Sequence, residues 1–290
     1  MVNRQKAILQ LVSNEGGRIG KTRLFKLAFI GSFESDAQAN HVAYEFVPYH
    51  FGPYSFTLAH ELKTLERDGY LRIMESEIKL IETASLLPQP TAAVISWIDS
   101  LSRRYRAVST DDLVSLVYKR YPWYTSLARD KRKREAELVD ASPAVYTVGY
   151  EGMMLDGFLS LLLKRGIKQL LDVRANPVAR RFGFHKSTLN RHCDDVGINY
   201  LHFPELGISS SDRSELDNKA SYLRLFDEYN TRMEQSGEQY VKEISALMCS
   251  LPSALMCMEA DAKFCHRSRL ASFVSSVSKL RVEELRDCET

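Results

Sequence analysis

The chain has 290 residues, of which 44% are hydrophobic and 26% are charged, as in an ordinary globular protein. This composition excludes a disordered chain, a collagen-like repeat and a small disulfide-dense domain, and the length predicts two domains. The 39 Lys and Arg residues nearly balance the 37 Asp and Glu residues, so the net charge of +2 does not by itself indicate a nucleic-acid-binding protein.

All five cysteines lie in the second half of the chain, at Cys193, Cys249, Cys257, Cys265 and Cys288. An odd number so placed fits reduced thiols better than a secreted disulfide framework. The N-terminal apolar stretch is too short and polar for a signal peptide, and no apolar run approaches the roughly 20 residues that span a bilayer. We therefore expect a cytoplasmic protein that makes no membrane contact.

Apolar periodicity predicts a mainly helical first domain over residues 1–140, with helices near residues 3–13, 20–32, 55–68, 91–106 and 110–120. The third helix ends at Asp68-Gly69, and the apolar runs at 70–73 and 78–81 then indicate a hairpin. A helix followed by a hairpin is the order found in a winged helix. We therefore expect a winged-helix-like domain.

The candidate recognition helix carries two cations, Lys63 and Arg67, beside Glu61 and Glu66. DNA binding and protein contact are both compatible with this balance. Further along, the basic residues Lys131, Arg132, Lys133 and Arg134 are candidate phosphate contacts, and the aromatic run 121–124 before them is a candidate base-stacking surface. The alternative for this basic run is a solvated linker that ends the first domain.

An aromatic segment, Phe46–Ser55, precedes the candidate recognition helix and contains the sequence Phe51-Gly52-Pro53-Tyr54. Over residues 20–82 it resembles a group of small helical prokaryotic domains related to antitoxin and regulator modules. The residues also have a purely structural interpretation, because Pro53 fits the approach to a helix and Ser55 is a candidate N-cap.

The second domain, residues 141–290, alternates apolar runs with helical patterns, which predicts an α/β fold with a parallel sheet. The predicted strands are 145–148, 169–173, 199–203 and 254–258, with a further one at 280–285. Ligands of open parallel sheets bind beyond the carboxyl ends of the strands. We therefore expect the site among the polar groups that follow these runs.

Four blocks at the strand ends resemble the family known as domain of unknown function 488, over residues 145–277. They are Thr147-Val148-Gly149, Asp172-Val173-Arg174 with Pro177 and Arg180, Pro204-Glu205-Leu206-Gly207, and Cys257-Met258-Glu259-Ala260 with Cys265-His266-Arg267. Tyr150-Glu151 departs from the family pattern. The resemblance implies a fold and a site but no settled reaction.

Two chemistries are open for these residues. The carboxylates Glu259 and Glu205 are candidate catalytic groups for cleavage of a nucleoside or nucleotide. The phosphate would then be bound by residues at neighbouring strand ends, namely Tyr150, Asp172, Arg174, Arg180, Arg181 and Arg267. Alternatively, Cys265 lies at the start of a helix next to His266 and an arginine, as a low-pKa nucleophilic thiol would.

We expect no metal or other cofactor. The sulfur and nitrogen donors Cys257, Cys265, His266, His192 and Cys193 lack the paired spacing of structural zinc sites. The sequence also lacks a P-loop, a Rossmann glycine fingerprint and an acidic calcium loop.

The favoured interpretation is a protein that associates with nucleic acid, DNA more than RNA, or with a phosphate-bearing small molecule. The chain would be a glycosidic-bond or phosphate-directed hydrolase in DNA repair or defence. The alternatives are a ligand-sensing DNA-binding regulator without turnover, and a thiol enzyme that uses Cys265. The oligomeric state is left open.

Overall fold

The computed structural model describes residues 1–34, 42–81, 87–209, 212 and 219–286. Cys288 and parts of the 20–82 segment lie outside these ranges. The chain divides into two compact units, Met1–Glu137 and Leu138–Thr290. Within the described ranges, no helix combines the length and apolar character needed to cross a membrane.

The N-terminal unit contains the five predicted helices: α1 (Asn3–Asn14), α2 (Lys21–Glu34), α3 (Phe56–Arg67), α4 (Ala92–Tyr105) and α5 (Thr110–Arg120). Its strands are β1 (Arg18–Gly20), β2 (Val47–Tyr49), β3 (Gly52–Tyr54), β4 (Leu71–Ile73) and β5 (Glu77–Leu80). Strands β1, β5 and β4 form an antiparallel sheet in that order, while β2 and β3 pair separately. The predicted hairpin after α3 is thereby confirmed.

Helix α3 begins and ends at the residues that its sequence indicates. The Ser55 hydroxyl accepts a hydrogen bond of 3.2 Å from the backbone N–H of Leu58, which satisfies one otherwise unpaired donor of the first turn. After Asp68, Gly69 adopts a φ of 83°, and this left-handed conformation allows the chain to reverse into β4. The apolar face of α3 lies in the core of the unit.

In the aromatic run 121–124, Tyr124 lies in this core, and Tyr121 and Trp123 are half-buried against it. Tyr124 is buried, and its ring centroid lies 4.7 Å from that of Phe29 in an edge-on arrangement. Tyr121 makes a similar contact with Phe29 at 5.0 Å. These two rings complete a hydrophobic core to which α1, α2, α3 and α4 all contribute, which makes them less available for stacking on bases.

The C-terminal unit is the α/β domain that the alternating pattern predicts. Its strands are β6 (Val145–Gly149), β7 (Gln169–Asp172), β8 (Asn199–His202), β9 (Ser253–Cys257) and β10 (Val282–Glu284). They form a parallel sheet in the order β10-β6-β9-β7-β8. Its helices are α6 (Leu155–Lys164), α7 (Lys186–Asp195), α8 (Lys219–Ser236), α9 (Glu238–Ser250) and α10 (Arg267–Ser278).

The strand register brings the carboxyl ends of the central strands together. Gly149 at the end of β6 pairs with Cys257 at the end of β9, and Asp172 at the end of β7 pairs with Met256. Every residue of β7 and β9 is buried, as expected of strands covered on both faces. The polar groups that follow these strands therefore share one edge of the sheet.

Candidate functional site

Two cysteines and a histidine converge where β9 ends and α10 begins. Cys257 is the last residue of β9, and the chain returns through the short turn Ala262–Phe264 to Cys265 and His266. The two sulfur atoms and a ring nitrogen of His266 all lie within 4.8 Å of one another. Each of these residues is at most 1% exposed. We call these three residues the donor cluster.

The ring of His266 is oriented by the main chain. Its Nε2 lies 3.0 Å from the carbonyl oxygen of Val173, and because a carbonyl can only accept, Nε2 carries the proton and donates it. In the neutral ring, Nδ1 then keeps its lone pair, and it lies 3.8 Å from the Cys257 sulfur. A histidine that donates one ring N–H to a backbone carbonyl and turns the other nitrogen inward is typical of metal sites.

The two thiols differ in acidity, in the direction opposite to the one expected from the sequence. The thiol of Cys265 donates a hydrogen bond to Cys257, and this bond, with the nearby His266, sets the pKa of Cys257 well below its usual value despite burial. Burial raises the pKa of Cys265, and the neighbouring Cys257 raises it further. The candidate thiolate is therefore Cys257, because it accepts the hydrogen bond from Cys265 and lies beside His266, whereas both thiols are equally buried.

Glu259 brings a carboxylate to the donor cluster. This half-buried residue places Oε2 3.2 Å from the Cys257 sulfur, where the carboxylate accepts a hydrogen bond from the Cys257 thiol; if the thiol also ionises, two negative groups are in contact. Such a pair requires a proton between its members or a cation beside them. Glu259 and His266 also line a cavity of about 30 Å³, together with apolar side chains including Phe226 and Phe264. This volume suits a water-sized molecule.

Arg267 holds the Glu259 loop in place and is not available as a phosphate anchor. Its fully buried guanidinium donates from Nη1 to the carbonyl of Glu259 and from Nη2 to the carbonyl of Ala260, 3.0 Å away. Nη2 also lies 3.1 Å from the Glu284 carboxylate. The buried Nε has no partner among the described residues. Arg267 is thus a positioning residue.

The first strand end packs against the same loop. A Cβ at Gly149 would collide with the carbonyl of Glu259, so this position requires glycine. The backbone N–H of Glu151 donates to the carbonyl of Met258 at 2.9 Å, and the Glu151 carboxylate accepts from the N–H of Ala260 at 3.0 Å. The residue that departs from the family pattern therefore has a structural role.

Asp172 and Arg174 form a buried network beside the cluster. The Asp172 carboxylate accepts from Arg174 Nε at 2.8 Å, from Nη2 at 2.6 Å and from the Tyr200 hydroxyl at 2.5 Å. Arg174 Nη1 donates to the Tyr150 hydroxyl and to the carbonyl of Phe184, both at 3.0 Å. Burial disfavours the guanidinium charge, but Asp172 outweighs this effect and raises the pKa of Arg174. Four of its five donors are thus engaged.

This network corrects the expectation that Arg174, Asp172 and Tyr150 bind a phosphate. Arg174 is 5% exposed and Asp172 is fully buried, so neither presents its charge to a ligand. The ring of Tyr150 stacks on Phe184 with the centroids 4.2 Å apart. These residues hold the ends of β6 and β7 together. Because the Arg174 guanidinium is already paired with the Asp172 carboxylate, it has few free N–H groups with which to bind a phosphate.

The remaining predicted residues of this unit are exposed and lie outside the donor cluster. Arg180 and Arg181 follow the 174–177 segment, and Arg181 Nη1 donates to the carbonyl of Met153 at 2.6 Å. Glu205 is exposed in the turn Pro204–Leu206. The last residue of its motif, Gly207, is constrained because a Cβ there would collide with the backbone of Ala175. The motif therefore joins two loops through Gly207.

The predicted nucleic-acid contacts all lie on the surface of the N-terminal unit: Lys63, Arg67, Lys131, Arg132, Lys133 and Arg134. Lys63 and Arg67 belong to α3. In the basic run, Arg132 pairs with Asp130 at 3.1 Å and Arg134 donates from Nε to the carbonyl of Ala128 at 2.9 Å. Part of the basic charge is therefore used locally.

The sequence does not indicate the roles of two groups in this site, the Cys257 thiol and the Val173 carbonyl. Cys257 was named only as a donor, although it stands two residues before Glu259 at a strand end, which was the available signal. Val173 gave no signal, because its contribution is a backbone carbonyl. The Cys-x7-Cys-His spacing argued against a metal since it differs from a compact zinc knuckle, yet a strand end and a helix start bring the donors together.

The fold and site define a parallel α/β domain with a buried cysteine–histidine cluster at the carboxyl edge of its sheet. Residues 154–274 match the family model described as Domain of unknown function DUF488, over somewhat less than half of the chain. This match supports the resemblance seen in the sequence for the C-terminal unit. No curated protein and no solved structure matches the chain.

Replacing Gly149 and Gly152 by alanine tests the packing of the first strand end. Gly149→Ala should destabilise the C-terminal unit by about 3 kcal/mol or more, because its Cβ meets a backbone carbonyl. Gly152 has a φ of 85° with no neighbour near its Cβ position, so Gly152→Ala should cost only about 1 kcal/mol. Urea unfolding followed by far-ultraviolet circular dichroism measures both, and equal losses would contradict the proposed collision.

Asp172→Asn should destabilise the protein by about 3–5 kcal/mol, because it leaves the buried Arg174 guanidinium without its counter-charge. The matched control is Asp140→Asn, which breaks an exposed ion pair with Lys168 and should cost less than about 1 kcal/mol. Both tryptophans, Trp97 and Trp123, lie in the N-terminal unit, so circular dichroism is the appropriate probe. A small loss for Asp172→Asn would show that the network is dispensable.

Proposed function

We propose that the C-terminal unit is a hydrolase domain that binds a zinc-class ion through Cys257, Cys265 and His266, with Glu259 as general base. One observation carries this proposal. Three buried donors of the type that zinc prefers converge next to a water-sized cavity that is bounded by a carboxylate.

The ligand set favours zinc over other common ions. Two thiolates and an imidazole are soft and borderline donors, which select zinc over magnesium or calcium. Three protein ligands leave a fourth position open, as in catalytic rather than structural zinc sites. An ion so held lowers the pKa of a bound water molecule toward neutrality. It would also neutralise the contact between Cys257 and Glu259.

The proposed substrate class is a nucleoside or nucleotide. The support is chemical: zinc-dependent nucleobase deaminases combine cysteine and histidine ligands with a glutamate that binds no metal and transfers protons. Arg174 and Arg267 are no longer candidates for binding its phosphate, because their guanidinium groups are hydrogen-bonded to Asp172 and to backbone carbonyls within the unit. Arg180 and Arg181 keep exposed guanidinium groups near this edge of the unit and are the better candidates for that contact.

Zinc titration of the metal-stripped full-length protein tests the metal site. We expect one zinc ion per chain by native mass spectrometry, and thiolate absorption bands when cobalt(II) replaces zinc. Cys257→Ser and His266→Gln should weaken binding beyond the roughly 10- to 100-fold that loss of an outer-shell partner costs. Glu259→Gln should retain zinc and lower any hydrolytic turnover on nucleosides or nucleotides about 10²- to 10⁴-fold.

Matched controls come from the same unit. Cys249→Ser removes an exposed free thiol of α9, and His192→Gln removes a buried histidine of α7; both should bind zinc as the wild type does. Zinc binding that survives Cys257→Ser, or is absent from the folded wild type, would refute the metal site. In that case the thiol alternative would apply with Cys257, rather than Cys265, as its nucleophile.

We also propose that the N-terminal unit is a winged-helix-like module that contacts DNA through α3. The support is its topology: α1, β1, α2 and α3 are followed by the hairpin β4–β5, and β1 pairs with β5. Lys63 and Arg67 lie exposed on the helix that precedes the hairpin. A ligand-sensing regulator would share this module, and the absence of turnover would distinguish it from the hydrolase.

The double variant Lys63→Ala/Arg67→Ala should weaken binding to duplex DNA of random sequence, because both cations would contact phosphates. Fluorescence anisotropy over a salt series should show the slope of log K against log salt reduced by about 1 per residue. Lys119→Ala, an exposed cation on α5, is the control and should leave the slope unchanged. No retention of DNA at low salt by the wild type would overturn the proposal.

A further inference from the structure

The N-terminal unit contains a cavity of about 320 Å³ between α2, α3 and the β2–β3 hairpin. This volume falls in the range of sites for small molecules. The hairpin brings the Phe51–Tyr54 segment to the cavity, so the aromatic motif before α3 does more than orient that helix. The proposed metal site lies in the other unit, and of the proposed DNA contacts Lys63 lines this cavity whereas Arg67 does not.

A buried lysine reaches the cavity from α2. Lys26 is 3% exposed, and its Nζ donates to the carbonyl of Phe51 at 2.8 Å, while the carbonyl of Pro53 lies 3.5 Å away. The described lining also includes Lys21 and Lys63 and contains no Asp or Glu. Burial lowers the pKa of Lys26 to about 7. A buried ammonium group without a carboxylate partner is costly, and an anion in the cavity would relieve that cost.

The rest of the wall is aromatic. The rings of Phe25 and Tyr54 stack at 4.9 Å with an angle of 7° between their planes, and those of Tyr49 and His50 lie 4.1 Å apart. Phe51 is 72% exposed, which is unusual for a large apolar side chain at a cavity. Flat ring faces favour a flat ligand by stacking.

The β2–β3 turn at Gly52 packs closely against Lys26. Gly52 has a φ of 85°, and a Cβ there would lie 2.6 Å from the Tyr118 ring and 3.2 Å from Lys26 Nζ. Any other residue would therefore push against the lysine that faces the cavity. The backbone of the motif and the position of the ammonium group are fitted to each other.

We propose that this cavity binds a planar aromatic anion whose charged group pairs with Lys26 and whose ring packs on the aromatic wall. Two sources share this chemistry, a nucleoside monophosphate and an aromatic carboxylate. Ala59, Leu62 and Lys63 of α3 also line the cavity, so the bound ligand contacts the helix that carries the proposed DNA contacts.

Isothermal titration calorimetry on the full chain tests the site with one arm for each source. One arm uses AMP and UMP, with adenosine and uridine as uncharged analogues; the other uses salicylate, with salicylamide as the uncharged analogue. Binding in one arm identifies the source. Each anion that binds should do so with about tenfold or more higher affinity than its neutral analogue, because the analogue cannot make the charge-assisted hydrogen bond with Lys26.

Lys26→Met, which keeps the length and apolar part of the side chain, should weaken anion binding by a similar factor. Lys79→Met removes an exposed lysine of β5 and should leave it unchanged. Because the proposed substrate of the C-terminal unit is also a nucleotide, a second variant, Ala59→Leu, fills the cavity from α3 and should likewise weaken anion binding, so the site is tested even if Lys26→Met does not fold. Equal binding of anions and neutral analogues, unchanged binding by folded Lys26→Met, or no binding in either arm would overturn the proposal.

Discussion

The buried guanidinium of Arg267 is the contact on which the C-terminal site depends. It binds two successive carbonyls of the loop that carries Glu259, and it pairs with Glu284 at the end of β10. The loop between Cys257 and Cys265 has no regular strand or α-helix to fix it, so a side chain from α10 supplies the restraint. Placement of the Glu259 carboxylate against the donor cluster follows from this restraint.

A second buried ion pair restrains the neighbouring strand end in the same way. Asp172 and Arg174 hold the start of the loop after β7, next to the Val173 carbonyl that orients His266. The polar residues at the carboxyl edge of this sheet thus fall into two groups. Arg174 and Arg267 position backbone, while Cys257, His266 and Glu259 are left to face one another.

Much of the fold could be predicted from sequence, and less of the site. The positions of β6, β7 and β9 followed from apolar runs that are buried on both faces, and α3 followed from Ser55, its apolar spacing and Gly69. The site was harder to predict than the fold, because an arginine at a strand end looks the same in the sequence whether it binds a ligand or a backbone carbonyl. Arg267 could be assigned to the loop only once the backbone of Ala260 was located. The donor cluster likewise depends on a chain reversal that its spacing does not encode, and Lys26 gave no signal within an apolar helix.

The burial of the donor cluster has a kinetic consequence for the proposed metal site. Since Cys257, Cys265 and His266 are at most 1% exposed, an ion held by these three residues would be largely shielded from bulk water. Its release would need a local opening of the structure, whose rate depends on the stability of the surrounding elements rather than on ligand affinity. The metal content of the purified protein would then depend on which ions were present when the chain folded. A chelator added afterwards would remove the ion slowly.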